Sequence, residues 1–497
     1  MKTLATLIAI SDIPARRIAG IAALLILLAI HQSAQAQTTS AWTGTSNSTW
    51  GTAGNWAGGV LPTTTVSALF NGTFSNQPTL GAAQTAQGIW LATGVGQDVT
   101  IDSATAQLLT ITGNPTLNSQ TNAGIYMNDS GNHNLTIGPN TSIILSNNTG
   151  FYNQQSSGNL TISGGLNLNA KTLTIGNGAT STGNVTISGN ISNTAGSITI
   201  NSTGTVLLTG NNAYSGTTTL TAGTVVVGSN TAFGTGALAL NGGTLLSSTD
   251  VVLANTSVSF GSGTTTFSGA NNITITSNSN SNNGFIGGGN KQITNSLDSG
   301  KALTFSGNLQ LNSGATSRQL TIAGTGDTVF SGILSESALA NGAFVVSSTG
   351  ITTFSGNNSF SGGLTVNSGA TLKAGNANAL GFGGTSRAGN SLGTTTVSSG
   401  GVLDLNGTTG INEPIVLNGT GIGSNGALIN NSGTNASIGN GIAGLTVPVT
   451  GSGSGLSVAP TVTIAGTGSG ASATALLGLT FKGVAEARHE PSDCTHG

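Results

Sequence analysis

The sequence predicts an all-β chain folded as a right-handed parallel β-helix, a solenoid of short irregular rungs. Three observations predict it. Apolar and polar residues alternate in short runs, turn residues separate those runs, and the runs recur at fixed longer offsets. Composition agrees. Of 497 residues 79 are Gly, only 5% are charged and 36% are hydrophobic. Disordered chains combine low hydrophobicity with high net charge, whereas the formal net charge here is -2. Thr, Ser, Asn, Val and Ile suit strands and turns better than helices.

The chain opens on a targeting segment. Lys2, Arg16 and Arg17 precede the apolar run 18–30, and HQSAQA follows at 31–36. Basic, apolar and small-x-small regions in this order form a secretory signal peptide. The small residues Ala34 and Ala36 set the expected cleavage after Ala36. Thirteen apolar residues make a helix of about 20 Å, too short to span a bilayer. Residues 37–100 are expected to form an N-terminal cap and the first rungs. They hold Trp42, Trp50 and Trp56, which either close the open end of the core or stack on sugars.

Residues 101–480 keep one texture. NLTI (134–137), NLTIS (159–163), NVTIS (184–188), SITI (197–200), TVLL (205–208), TVVV (224–227), NITIT (272–276), ALTF (302–305), QLTI (319–322), GLTV (363–366) and TVTI (461–464) alternate with the period of a strand. Asn-Gly pairs at 177, 241, 406 and 418 mark turns between such runs. GNLTIS at 158 returns as GNVTIS at 183, and LTAGTVVV at 220 returns as LNGGTLLS at 240. Offsets of this size signal a solenoid, whose units bury their apolar face only by stacking. At ~22 residues per rung, residues 37–480 give about 20 rungs and a rod roughly 95 Å long. A β-sandwich array is the alternative, but no domain-sized period of ~100 residues is visible.

The most regular stretches are 208–245, LTGNNAYSGTTTLTAGTVVVGSNTAFGTGALALNGGTL, and 354–384, FSGNNSFSGGLTVNSGATLKAGNANALGFGG. Each has S/T-G-N-N, an aromatic residue with Ser-Gly, an alternating run, and a Gly-rich turn ending in Phe-Gly or Leu-Gly. This pattern resembles the autotransporter-associated β-strand repeat, the passenger-associated transport repeat of bacterial surface proteins. The Trp-rich opening at 41–62 also resembles the start of such proteins. The resemblance implies an exported β-helical passenger, displayed on or released from a Gram-negative cell. It implies as partner an outer-membrane translocation barrel, for which this chain shows no strand pattern. The last residues, 481–497, change texture: Lys482, Glu486, Arg488, Glu490, Asp493 and the lone Cys494 fall there. A frameshift or truncated reading frame gives that appearance, and truncation is the expectation.

Chemistry-bearing residues are sparse. Eleven Lys and Arg give no footprint for nucleic acid. The acids between signal and tail are Asp98, Asp102, Asp129, Asp250, Asp298, Asp327, Glu336, Asp404 and Glu413, with the single histidine His133. Asp98 and Asp102 share a strand face by spacing, as a carboxylate pair or calcium site would require, but a solvated strand edge is the expected role. Asp129 and His133 read as a polar turn. The Gly-rich GGGNK (287–291) lacks the lysine spacing and following helix of a phosphate loop. No catalytic residue, metal site or cofactor is expected, and the chain is not expected to be an enzyme. The expected function is an exported, non-catalytic rod for display or adhesion at the cell surface, meeting host or matrix polysaccharide or protein. A self-assembling matrix or sheath component is the alternative, and a carbohydrate-active β-helix enzyme the second.

Overall fold

The computed structural model describes residues 39–261, 263–279, 285–286, 289–312, 316–337, 341–381 and 393–438. The signal segment with Ala34 and Ala36, the run at 461–464 and the tail at 481–497 lie outside the described residues.

Strand alternation becomes burial alternation. In Ser197–Leu208 the even positions Ile198, Ile200, Val206 and Leu208 are buried and their neighbours partly exposed. One such strand has nothing to cover its apolar row. The next turn of chain supplies the cover and also takes its backbone hydrogen bonds. The described residues thus wind as a parallel β-solenoid with three strand faces per turn.

The second face shows the winding most clearly. It is an unbroken parallel ladder from Val99–Ile101 to Ile415–Leu417, fourteen strands long. At the usual strand spacing this advances about 60 Å. The first face runs from Thr39–Ala41 through Ser67–Phe70 and Ile89–Leu91 to Val258–Phe260. Backbone bonds carry it on past Ile286, Leu311 and Ser335 to Ser359. The third face runs from Gln84–Ala86 to Ile191–Ser192 and from Val251–Leu253 to Leu428–Ile429. Ser197–Leu208 and Thr218–Val227 bend round a corner without a break, with a register shift at Asn201, and so join the first two faces into one sheet.

The two sequence offsets are turns of the solenoid. Leu160 pairs with Val185 and Val225 with Leu245. The uniform ~22-residue rung needs correction, because turns vary widely. Val206 pairs with Val225, 19 residues on, and Ile89 with Ile125, 36 on. The long turn accommodates an antiparallel hairpin, Asn114–Leu117 against the start of Gln120–Met127, turning on Asn118 and Ser119 at φ 44° and 67°. Leu117 and Ala123 of this hairpin pack with Tyr126 and Tyr152 in a small cluster outside the main core, against which Trp90 rests.

Stacking puts like residues in columns. Val185, Val206, Val225, Leu245 and Phe267 succeed one another on the second face. Beyond residue 260 the core turns aromatic. Phe305 lies flat on Phe330 with ring centres 5.0 Å apart, and Phe330 meets Phe354 edge-on at 5.5 Å. No local pattern in the sequence singles out these phenylalanines. Their spacing of 24 or 25 residues makes them a column.

Candidate functional site

Three features of the sequence suggested chemistry, and each has a defined place. The acids come first. Asp98 precedes its strand on one turn, and its carboxylate accepts the N–H and the side-chain amide of Asn134 on the next turn, at 2.8 and 3.0 Å. Those bonds hold its pKa below the usual carboxylate range. Asp102, at the other end of the strand, accepts the N–H of Asn140 at 3.1 Å. The two carboxylates therefore each serve a different neighbour. Asp250 receives Asn272, Asp327 receives the N–H of Ile351, and Asp404 receives that of Asn431. Asparagines fill the same role elsewhere: Asn134 receives Asn159, and Asn184 receives Thr205. These aspartates are links in corner ladders that satisfy backbone donors between turns.

Asp129 and His133 do meet, with Oδ2 2.7 Å from Nδ1. Burial alone would raise the Asp129 pKa, but the His133 ring and backbone N–H outweigh it and the net direction is down. The same oxygen accepts the His133 N–H at 3.2 Å, which closes the turn. Among the described residues no group of three His, Cys, Asp or Glu is placed to hold a metal ion.

Trp42, Trp50 and Trp56 form one cluster. Trp56 sits edge-on to both others, with ring centres at 5.0 and 4.8 Å. All three are buried, at 3, 0 and 2% exposure, so no ring face is open to a sugar. Trp42 Nε1 donates to Asn76 O and Trp56 Nε1 to Trp50 O. The cluster joins the main core at the first described turns.

The repeated motif is a clasp between turns. In 209–212, TGNN, the second asparagine is Asn212, 3% exposed. Its Oδ1 accepts the N–H of Ile191 on the turn before, at 2.8 Å, and its Nδ2 donates to Ala232 O on the turn after, at 2.7 Å. In 355–358, SGNN, Asn358 does the same with Leu334 N–H at 2.8 Å and Ala379 O at 2.7 Å. Two residues on, Tyr214 and Phe360 are buried beneath Gly234 and Gly381. Those glycines have φ of 64° and 113°, and a Cβ on either would come within 2.9 Å of the aromatic ring. The Phe-Gly and Leu-Gly ends of the motif are thus required by backbone conformation and by the ring below.

This geometry gives the motif a physical meaning, and the comparison with known families gives it a name. The passenger-associated-transport-repeat family matches residues 198–227 and 344–374. The chain carries passenger-associated transport repeats. No match was found among curated proteins or among solved structures. The matched repeats begin ten residues before 208 and 354, because each takes in the strand leading to S/T-G-N-N. The two repeats also start on different faces. Residues Ile198 and Ile200 of the first lie on the first face, whereas Phe344 and Val346 of the second lie on the second face. The repeat is therefore a local clasp of about one and a half turns that fits any corner of the solenoid.

One further group escaped the sequence reading. Arg318, Gln319, Asn341, Ser361 and neighbouring glycines line an open cleft of about 450 Å³. Its members come from successive turns, so no local motif announces it. GGGNK did touch it: Asn290 lines the cleft and accepts the Gln319 N–H at 2.9 Å.

Proposed function

We propose that the chain is an exported, non-catalytic passenger: a β-solenoid rod displayed on, or released from, the surface of a Gram-negative cell, where it extends and adheres. The observation that carries this reading is the clasp, repeated with the same bonds at Asn212 and Asn358. It is a device for stacking turns, and it lies in repeats of a passenger-associated family. Use of five aspartates as corner links supports a structural rather than a chemical role for the acids. Stacking from one end also suits export. Each folded turn offers the next a template, so folding outside the membrane draws the chain outward without another energy source. The translocation barrel of a passenger system is the partner this reading requires.

The test is exposure on the cell. An epitope-tagged chain in its native host should be cut by protease added to intact cells, or be found in the medium. Retention in a protected compartment would overturn the proposal. Turnover of a polysaccharide by the purified chain, abolished by Asp98→Ala or Asp102→Ala, would favour an enzyme instead.

A further inference from the structure

The second face carries an apolar stripe on its outer side. Val206, Val225 and Leu245 point into the core and are fully buried. Strand alternation turns their neighbours Leu207, Val226 and Leu246 outward, where they are partly exposed. Leu207 pairs with Val226, and Val226 with Leu246, so the three side chains stand in one column on successive turns. None of them belongs to, or packs against, either hydrophobic cluster of the described residues. The matching outer column of the first face reads Thr199, Thr219 and Ala239 on the same stretch of chain. Three large aliphatics in register therefore stand where small and hydroxyl-bearing residues stand next door, and water leaves them only when something else covers them.

The pattern around the stripe narrows what covers it, because it is symmetric about Val226. Moving away from Val226 along the rod, Leu207 and Leu246 come first, then Thr186 and Ser268, then Thr161 and Ser296. The column beside it is threonine throughout the stripe and one turn beyond: Thr205, Thr224, Thr244 and Thr266. A two-fold axis along the strand at Val226 sets Val226 on Val226, Leu207 on Leu246, and hydroxyl on hydroxyl. An isologous contact requires this self-complementarity. Charge permits it as well. The eight strands of this face from Val99–Ile101 to Thr265–Gly269 hold no charged residue, so two copies do not repel, and an ionic polymer finds nothing to hold. The only ring in those strands, Phe267, is buried, which leaves no platform for a sugar. Area is sufficient: a ladder about 60 Å long and about 12 Å wide offers roughly 700 Å² per copy, close to the ~800 Å² per partner of a standard stable interface. Two sheets laid together in this way keep their strands nearly aligned, as the layers of a β-sandwich do. We infer that the chain pairs with a second copy of itself through this face, as an antiparallel two-fold dimer centred on Leu207, Val226 and Leu246.

Analytical ultracentrifugation of the purified full chain tests it. The chain should sediment as a dimer in the micromolar range. Val226→Asp sets two like charges against each other on the axis and should weaken the dimer roughly a hundredfold or more. Thr219→Asp, an outward change on the first face, should leave it intact. Leu207→Glu and Leu246→Lys should each weaken the dimer alone. Mixed together, they should form a heterodimer, because the axis places position 207 of one copy against position 246 of the other. That rescue also shows that both variants are folded. A monomeric wild-type chain, a dimer indifferent to Val226→Asp, or a mixture of the two leucine variants that stays monomeric would each overturn the inference. Protease exposure on cells is read separately, so failure here is distinct from failure of the display proposal.

Discussion

At the scale of single residues, the molecule depends on a few buried polar groups. Asn212 satisfies one donor and one acceptor on two different turns. Removing it leaves a buried N–H and a buried carbonyl without partners, at about 1–3 kcal/mol for such a group. Asn212→Ala should therefore accelerate hydrogen exchange at the Ile191 amide, whereas Asn211→Ala, at an exposed position, should leave it unchanged. The two repeats also show a natural exchange. Tyr214 bonds Thr218 Oγ1 at 2.6 Å, and the equivalent pair in the second repeat is Phe360 and Leu364. A polar pair and an apolar pair fill the same space. Glu413 is a different case: burial pushes its carboxyl up to about 8 from an ordinary 4.5, and its Oε2 has no partner. The folded state then keeps a proton that the unfolded chain releases above pH 4.5. Stability from this group is full below that pH, falls as pH rises towards 8, and is level beyond. Glu413→Gln should flatten the dependence and stabilise the surrounding turns at pH 8 by on the order of a few kcal/mol. Denaturant melts at pH 5 and pH 8 check both statements.

At the scale of the rung, neighbouring glycines differ sharply in tolerance. Gly362 lies directly on the Gly342 backbone, while a Cβ on Gly363 would be 3.6 Å from its nearest atom, Thr394 O. Gly362→Ala should cost about 1–3 kcal/mol or more through overpacking. Gly363→Ala should be neutral or slightly stabilising, because it restricts the unfolded chain. Thermal melts of the two variants test this contrast. Rungs were also the most legible level of the sequence. NLTIS and NVTIS pair as their offset requires, because a shift of one residue would turn every apolar side chain outward. The long turns were not legible. Nothing in the local alternation signals that Asn114–Leu117 folds back as a hairpin, or that Leu364 waits 31 residues for Thr395. The Arg318 cleft was hidden for the same reason, since its composition depends on which residues of distant turns come to lie side by side.

At the scale of the whole molecule, stability is additive along one axis. Leu238 pairs with Thr218 behind it and Val258 ahead of it, so residues 238–257 are one complete turn. Deleting them should bring Val258 onto Thr218 and yield a folded chain shorter by about 4.8 Å. Deleting only 238–247 removes half a turn, puts faces out of register, and should abolish cooperative folding. Circular dichroism and small-angle scattering on the two deletions distinguish these outcomes. The signature Asn, aromatic and Gly of each repeat were visible in the sequence, but their direction around the axis was not. That direction matters for anything that touches the rod from outside. The two clasps are a third of a turn out of step, so the flanks they build look out from different sides. A flat partner can lie against one of them at a time, and one that holds both must curl around the shaft.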